Sequence, residues 1–327
     1  MQQIKHHIKK RLIKRPFLWT TLTAAIDYKY RQAFLGIKLL ILRRETIISA
    51  NTLGFSNRLK CLLSSMHAVE NGGGLVVLYW PKNWACRCNF SDLFETEFLE
   101  IDSEAYEILK PSGNFSSLIY DTWRLRPLTN EIPTDYRPTI TDNDASNIDL
   151  EYENTPHILR QKFGKQIIKL KPIKHIRDQA KSFSVLFSAH TISVSVRSWP
   201  DCKERADAFF DIDNIFNKLD PLINNDFFVS CDSGDILDSL IERYGDRIIY
   251  YPKRTLTNDR TSSKGMQDIL IDLLLLGENN KFLVSYMSTY PELAWWFGDC
   301  KAEVEYFESR QQIDKWHSMR GENTVPV

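Results

Sequence analysis

The stretch QDILIDLLLLGENNKFLVSYMSTYPELAWWFG, Gln267 to Gly298, decides how the chain folds. Ile269, Ile271, Leu273, Leu274 and Leu276 form a helix that is apolar nearly all the way round. Such a helix belongs inside the protein, and Asp268 and Asp272 are its only acids. Gly277 to Asn280 supply a stop, and Phe282-Leu283-Val284 reads as a short interior strand of a parallel sheet. Ser288 and Thr289 then open a second helix, in which Pro291 needs no amide hydrogen bond and Thr289 with Glu292 fits a capping box. Helix, strand, polar loop and helix make half of a doubly wound unit. Such folds bind ligands at the C-terminal edge of the strands, and a helix N-terminus there attracts phosphate. An ordinary capped helix gives the same local sequence.

Similar units lie upstream. Ile47 to Ala50 reads as a strand and Asn51 to Ser56 as a turn containing Gly54. Leu59, Leu62, Leu63 and Met66 recur at helical spacing, and Leu75 to Tyr79 returns as a buried strand parallel to the first. Gly54, Asn57 and Arg58 therefore sit where a strand hands over to a helix. A glycine there lets another molecule approach the backbone, and Arg58 adds a cation; a turn glycine beside a surface arginine is the alternative. The glycines at 72–74 follow the helix and end it.

Thr191 to Val196 alternates as a strand and hands over to Arg197, while Phe227 to Ser230 ends at Cys231-Asp232. Arg247 to Tyr251 is a further strand. Residues 130–157, rich in Pro, Thr, Asn, Asp and Glu, read as a connection. Gln161 to Phe183 is basic and helical, interrupted at Pro172.

With 327 residues the chain accommodates two domains. We expect an α/β fold of two Rossmann-like units with mostly parallel sheets. Residues 1–160 make the first domain, 161–300 the second, and 301–327 a closing helical tail. Lys+Arg and Asp+Glu both number 42, so charge gives no case for a nucleic-acid partner. Six scattered cysteines point to a reducing, cytoplasmic setting. Cys86-Arg87-Cys88 is too small a ligand set for zinc on its own. Asp211-Ile212-Asp213 falls in a helical stretch away from any strand end and reads as surface charge. Residues 4–15 interleave Lys and Arg with Ile and Leu. They read either as a solvated helix or as a peripheral contact with an anionic membrane.

Arg197, Asp232 and the Ser288-Thr289 loop belong at strand C-termini of the second domain. Arg197 can fork onto a diphosphate, with the hydroxyls and helix start taking the remaining oxygens. Asp272, a carboxylate on a buried helix, needs donors. A guanine ring offers them at N1 and N2, and so would an arginine of the protein itself. No P-loop and no G-x-G-x-x-G occurs, which argues against ATP hydrolysis and dinucleotide redox chemistry.

The run from Gly54 to Phe94 (GFSNRLKCLLSSMHAVENGGGLVVLYWPKN, then C, C and FSDLF), the strand ending Ser195-Val196-Arg197, and QDILIDLLLLG with FLVSYMSTYPELA together resemble the GDP-fucosyltransferase superfamily. The resemblance covers residues 47–94 and 190–298. It implies a GT-B-like fold, a GDP-sugar donor, no cofactor, and metal-independent transfer with inversion to a glycan acceptor. By the same resemblance Arg197 holds the β-phosphate and Asn57 faces the reaction centre. Asp272 reads guanine, Ser288 and Thr289 form the phosphate loop, and Ser195 stands where the family has a histidine. The family's His-x-Arg-Arg-x-Asp strand end appears here with Ser198 in place of the second arginine and Pro200 in place of the aspartate. A non-catalytic nucleotide-sugar or glycan-binding relative is therefore the alternative reading.

Overall fold

The computed structural model describes residues 46–70, 74–109, 119–139, 147–254 and 259–319. Two parallel sheets carry the architecture. In the first, β1 (Thr46–Ser49), β2 (Leu75–Tyr79), β3 (Leu99–Ile101) and β4 (Ile119–Tyr120) are ordered β3-β2-β1-β4. Helix α1 (Phe55–Glu70) joins β1 to β2, which pair in parallel from Thr46 opposite Leu75 to Ser49 opposite Leu78. Strand alternation divides the side chains. Ile47, Val76 and Leu78 face the large central core, whereas Ile48, Val77 and Tyr79 pack with Ile101 and Tyr106 on the outer face. Helix α2 (Ser103–Leu109) follows β3.

The connection after β4 contains no strand or α-helix among its described residues up to Pro156, yet it is not a solvated linker. Asp149, Leu150, Glu151, Tyr152 and Thr155 are all buried, and Tyr152 meets Trp295 edge to face. Helices α3 (His157–Lys169) and α4 (Lys174–Ser184) come next, broken around Pro172 as expected.

The second sheet is ordered β7-β6-β5-β8-β9. It is built from β5 (Thr191–Val196), β6 (Asp226–Cys231), β7 (Ile248–Ile249), β8 (Lys281–Val284) and β9 (Glu303–Tyr306). Helices α5 (Lys203–Phe209) and α6 (Ile212–Leu219) lie between β5 and β6, and α7 (Gly234–Tyr244) follows β6. Helix α8 (Ser263–Leu276) leads into β8 and α9 (Thr289–Phe297) follows it. The order reverses between β5 and its neighbour β8, so the crevice for a ligand opens at their C-terminal ends. Ser193 shows why β5 alternates serine with valine. Its buried hydroxyl donates to the Leu276 carbonyl at 2.7 Å and accepts from Asn279, so a short polar side chain lets α8 lie close.

The region after Gly298 differs from the all-helical tail expected. It adds β9, paired in parallel with β8 from Lys281 opposite Glu303 to Val284 opposite Tyr306, before α10 (Arg310–Met319). Glu303-Val-Glu-Tyr306 is too short and too charged to stand out as a strand until an edge is there to receive it. Gly277 and Gly298 end α8 and α9 in mutual contact. A Cβ on Gly298 would lie 2.4 Å from the Gly277 carbonyl oxygen. No helix among the described residues is long and apolar enough to cross a membrane. The basic segment 4–15 lies outside the described residues.

Candidate functional site

A cavity of about 210 Å³ lies between the C-terminal ends of the two sheets. Gly54, Phe55 and Ser56, at the start of α1, line one side. Ser195, Val196 and Arg197 from the end of β5 line the other, with Ser288 and Thr289 at the start of α9. Two helix N-termini, one from each sheet's unit, thus open on the same space and lend it positive potential. A Cβ built at Gly54 meets no atom within 4 Å, so this turn faces open space.

Arg197 is held from behind. Its Nη1 donates to Asp232 Oδ2 at 2.5 Å, and its backbone amide donates to Ser285 Oγ at 3.0 Å. The other oxygen of Asp232 accepts from the amide and hydroxyl of Ser198, at 2.9 and 2.8 Å. Asp232 and Ser198 together fix the direction of the guanidinium. Trp199 (φ 49°) and Met287 (φ 60°), which follow β5 and β8, line the cavity in the left-handed region. Non-glycine residues hold that conformation at a cost of about 1–3 kcal/mol, a strain that clusters at ligand sites.

Asp272 is buried and lines the cavity. One oxygen accepts from Ser230 Oγ and from Lys253 Nζ, the latter at 3.0 Å. The other, Oδ1, is buried without a hydrogen-bond partner. The protein partner is thus a lysine, where the sequence suggested an arginine, and it engages only one of the two oxygens. Burial pulls the Lys253 ammonium down, but Asp272 outweighs it and holds Lys253 above the ordinary lysine value.

Thr289 does not form the expected capping box with Glu292. Ser288 is the N-cap residue and makes no side-chain cap bond. The Thr289 hydroxyl donates across the cleft to Asn57 Oδ1 at 3.0 Å. Glu292, one turn further, accepts from Lys60 Nζ of α1 at 2.6 Å, and Lys60 also bonds Asp149 at 2.6 Å. The capping residues are engaged by the facing helix, which local sequence cannot reveal. Arg58 is likewise a correction. It is 1% exposed and absent from the cavity wall. Its guanidinium donates to the carbonyls of Leu53, Thr52 and Pro81 and to Asn83 Oδ1, and lies over Trp80. It holds the β1–α1 turn together.

The sequence reading missed Lys253 and Arg260, both of which line the cavity. Lys253 stands a few residues past the short β7, so the strand-end rule could have found it. Arg260 lies just before the Ser262 N-cap of α8 and carries no such signal. Asp211 is a helix cap, accepting from the Asp213 amide at 2.9 Å. Cys86 and Cys88 are buried with their sulfurs 3.6 Å apart. Among the described residues no group of three or more His, Cys, Asp or Glu side chains could hold a metal ion.

No protein-family model matches the chain, and no curated protein matches it in sequence. Solved structures do match in fold. The α-1,6-fucosyltransferase NodZ soaked with GDP-fucose superposes with a TM-score of 0.52 at 17% identity, covering 80% of this chain and 94% of that one. Fucosyltransferase NodZ from Bradyrhizobium gives 0.53 at 15% identity, covering 82% and 97%. The chain has the fold of these fucosyltransferases. The two parallel units and the cleft between them are thus the architecture that the strand-end motifs resembled.

Proposed function

We propose that the protein transfers a sugar, fucose or a close relative, from a GDP-sugar donor to a hydroxyl of a glycan acceptor, with inversion and without a metal ion. The observation that carries this reading is the convergence of Arg197 and the Ser288-Thr289 helix start on one cavity, beside Asp272. The solved NodZ structures that share the fold include one soaked with GDP-fucose and one co-crystallised with GDP, which supports a guanine nucleotide here.

In transfer, the acceptor oxygen bonds to the anomeric carbon as the bond to the β-phosphate oxygen breaks. GDP leaves with the electron pair, and the acceptor proton passes to a base. Negative charge grows on the β-phosphate. Donors already aimed at that oxygen supply most of the acceleration. Arg197, fixed by Asp232, and the amides at the start of α9 fill this role. Guanine N1–H and N2–H match the partnerless Oδ1 of Asp272, while the Lys253 ammonium beside it complements the O6 acceptor.

Transfer is measured as GDP release and labelled-glycan formation from GDP-fucose across an acceptor panel. Arg197→Ala should lower turnover by about 100-fold or more with an unchanged circular dichroism spectrum; unchanged turnover removes the mechanism. Ser198 leaves the strand end with one arginine, which favours a second reading, a non-catalytic nucleotide-sugar binder. Tight GDP binding with no release or transfer would select it.

A further inference from the structure

We infer that Arg260, and not a residue of the β5 strand end, is the second cation that grips the diphosphate; this rests on the nucleotide-sugar reading of the cavity. Six charged side chains line that cavity, four cations (Arg197, Arg205, Lys253 and Arg260) against two carboxylates. Both carboxylates are engaged within the wall, Asp232 by Arg197 at 2.5 Å and Asp272 by Lys253 at 3.0 Å. Arg197 thus meets a ligand with much of its charge already answered. A diphosphate carries more negative charge than such a guanidinium satisfies, and Arg205 is an exposed residue of α5. Arg260 is a further partly buried cation on the same wall, beside Arg197 and Lys253.

Its placement is built. Asp259 accepts from the Thr261 amide at 2.8 Å and from the Thr261 and Ser262 hydroxyls, and Ser262 caps α8 through the Gly265 amide at 3.0 Å. The same segment is tied to the first sheet's unit. The Arg260 carbonyl accepts from the Arg87 amide at 3.0 Å, Ser263 Oγ donates to Asp92 at 2.9 Å, and Gln267 Nε2 donates to the Asp92 carbonyl at 3.0 Å. Arg260 therefore stands on a rigid turn braced by both halves of the molecule. Burial, and then the nearby Arg197 guanidinium, lower its proton affinity, while Asp201 and Asp232 act in the opposite sense. An anion on the wall that Arg197 and Arg260 share accepts from both.

The test is calorimetric titration of the full chain with GDP and with guanosine, in the wild type, Arg260→Ala, Arg260→Gln and Arg260→Lys. We expect both neutral variants to weaken GDP by about 10- to 100-fold while guanosine binds as in the wild type, with partial recovery in the lysine variant. A GDP-to-guanosine affinity ratio unchanged in Arg260→Gln, with wild-type thermal unfolding, overturns the assignment and leaves the nucleotide-sugar reading standing. A wild-type chain that binds GDP no better than guanosine overturns both.

Discussion

Asp272 has two oxygens with different tasks. Oδ2 is fixed by Ser230 and Lys253, so the side chain is oriented before any ligand arrives, and Oδ1 is buried without a partner. Leaving a buried polar atom unsatisfied costs about 1–3 kcal/mol, a penalty that a ligand donor removes. Asp272→Asn should therefore lower the preference for GDP over ADP by about 10-fold or more in competitive binding. Equal weakening of both nucleotides would mark Asp272 as structural. Glu308 poses a different problem at the same scale. It is 4% exposed, and one oxygen accepts the Tyr286 amide at 2.9 Å just upstream of Ser288 and Thr289. Burial pushes its carboxyl up from 4.5 to about 7. The folded state holds that proton more tightly than the unfolded one. The stability it contributes is complete below the unfolded value near 4.5 and is lost as pH rises through about 7. Glu308→Gln should be more stable than the wild type at pH 8, by on the order of 2–3 kcal/mol, with the difference closing near pH 4. Urea midpoints at the two pH values measure this, and a constant difference would refute it.

At the scale of elements, α1 and α9 face one another across the cleft through polar contacts one turn apart. Asn57, which does not line the cavity, bonds Thr289, and the fully buried Lys60 and Glu292 pair one turn further along. Lys60 is fully buried, and Arg124 sits 3.6 Å from Asp149, so two cations and two carboxylates occupy the junction. Burial raises the Glu292 carboxyl to about 7, against the pull of Lys60. Removing one partner of a buried pair strands the other charge and costs about 3–5 kcal/mol. Lys60→Met should destabilise the protein by that amount in chemical denaturation, and pairing it with Glu292→Leu should recover part of the loss. Without that recovery, the lysine acts through packing alone. The sequence announced both helices but not their junction. Glu292 satisfied the spacing of a capping box, and a lysine 232 residues away in the chain is invisible to any local pattern.

For the whole molecule, the cleft is where the two sheets' C-terminal edges meet, so a donor bound there touches both units. A ligand that binds only the folded state stabilises it by about 2.7 kcal/mol at 100 times its Kd. GDP should raise the unfolding temperature of the entire chain in one transition, whereas a rise confined to one of two transitions would show that only one unit is engaged. Both parallel sheets, most of their strands and the positions of Arg197, Asp272, Ser288 and Thr289 were legible in the sequence, because hydrophobic periodicity and strand-end position are local properties. Tertiary structure alone decided that Arg58 braces a turn, that β9 completes the second sheet, and that Arg260 joins the cavity wall. Those assignments depend on which distant side chain or strand edge arrives at a given point in space. No window along the chain contains that information.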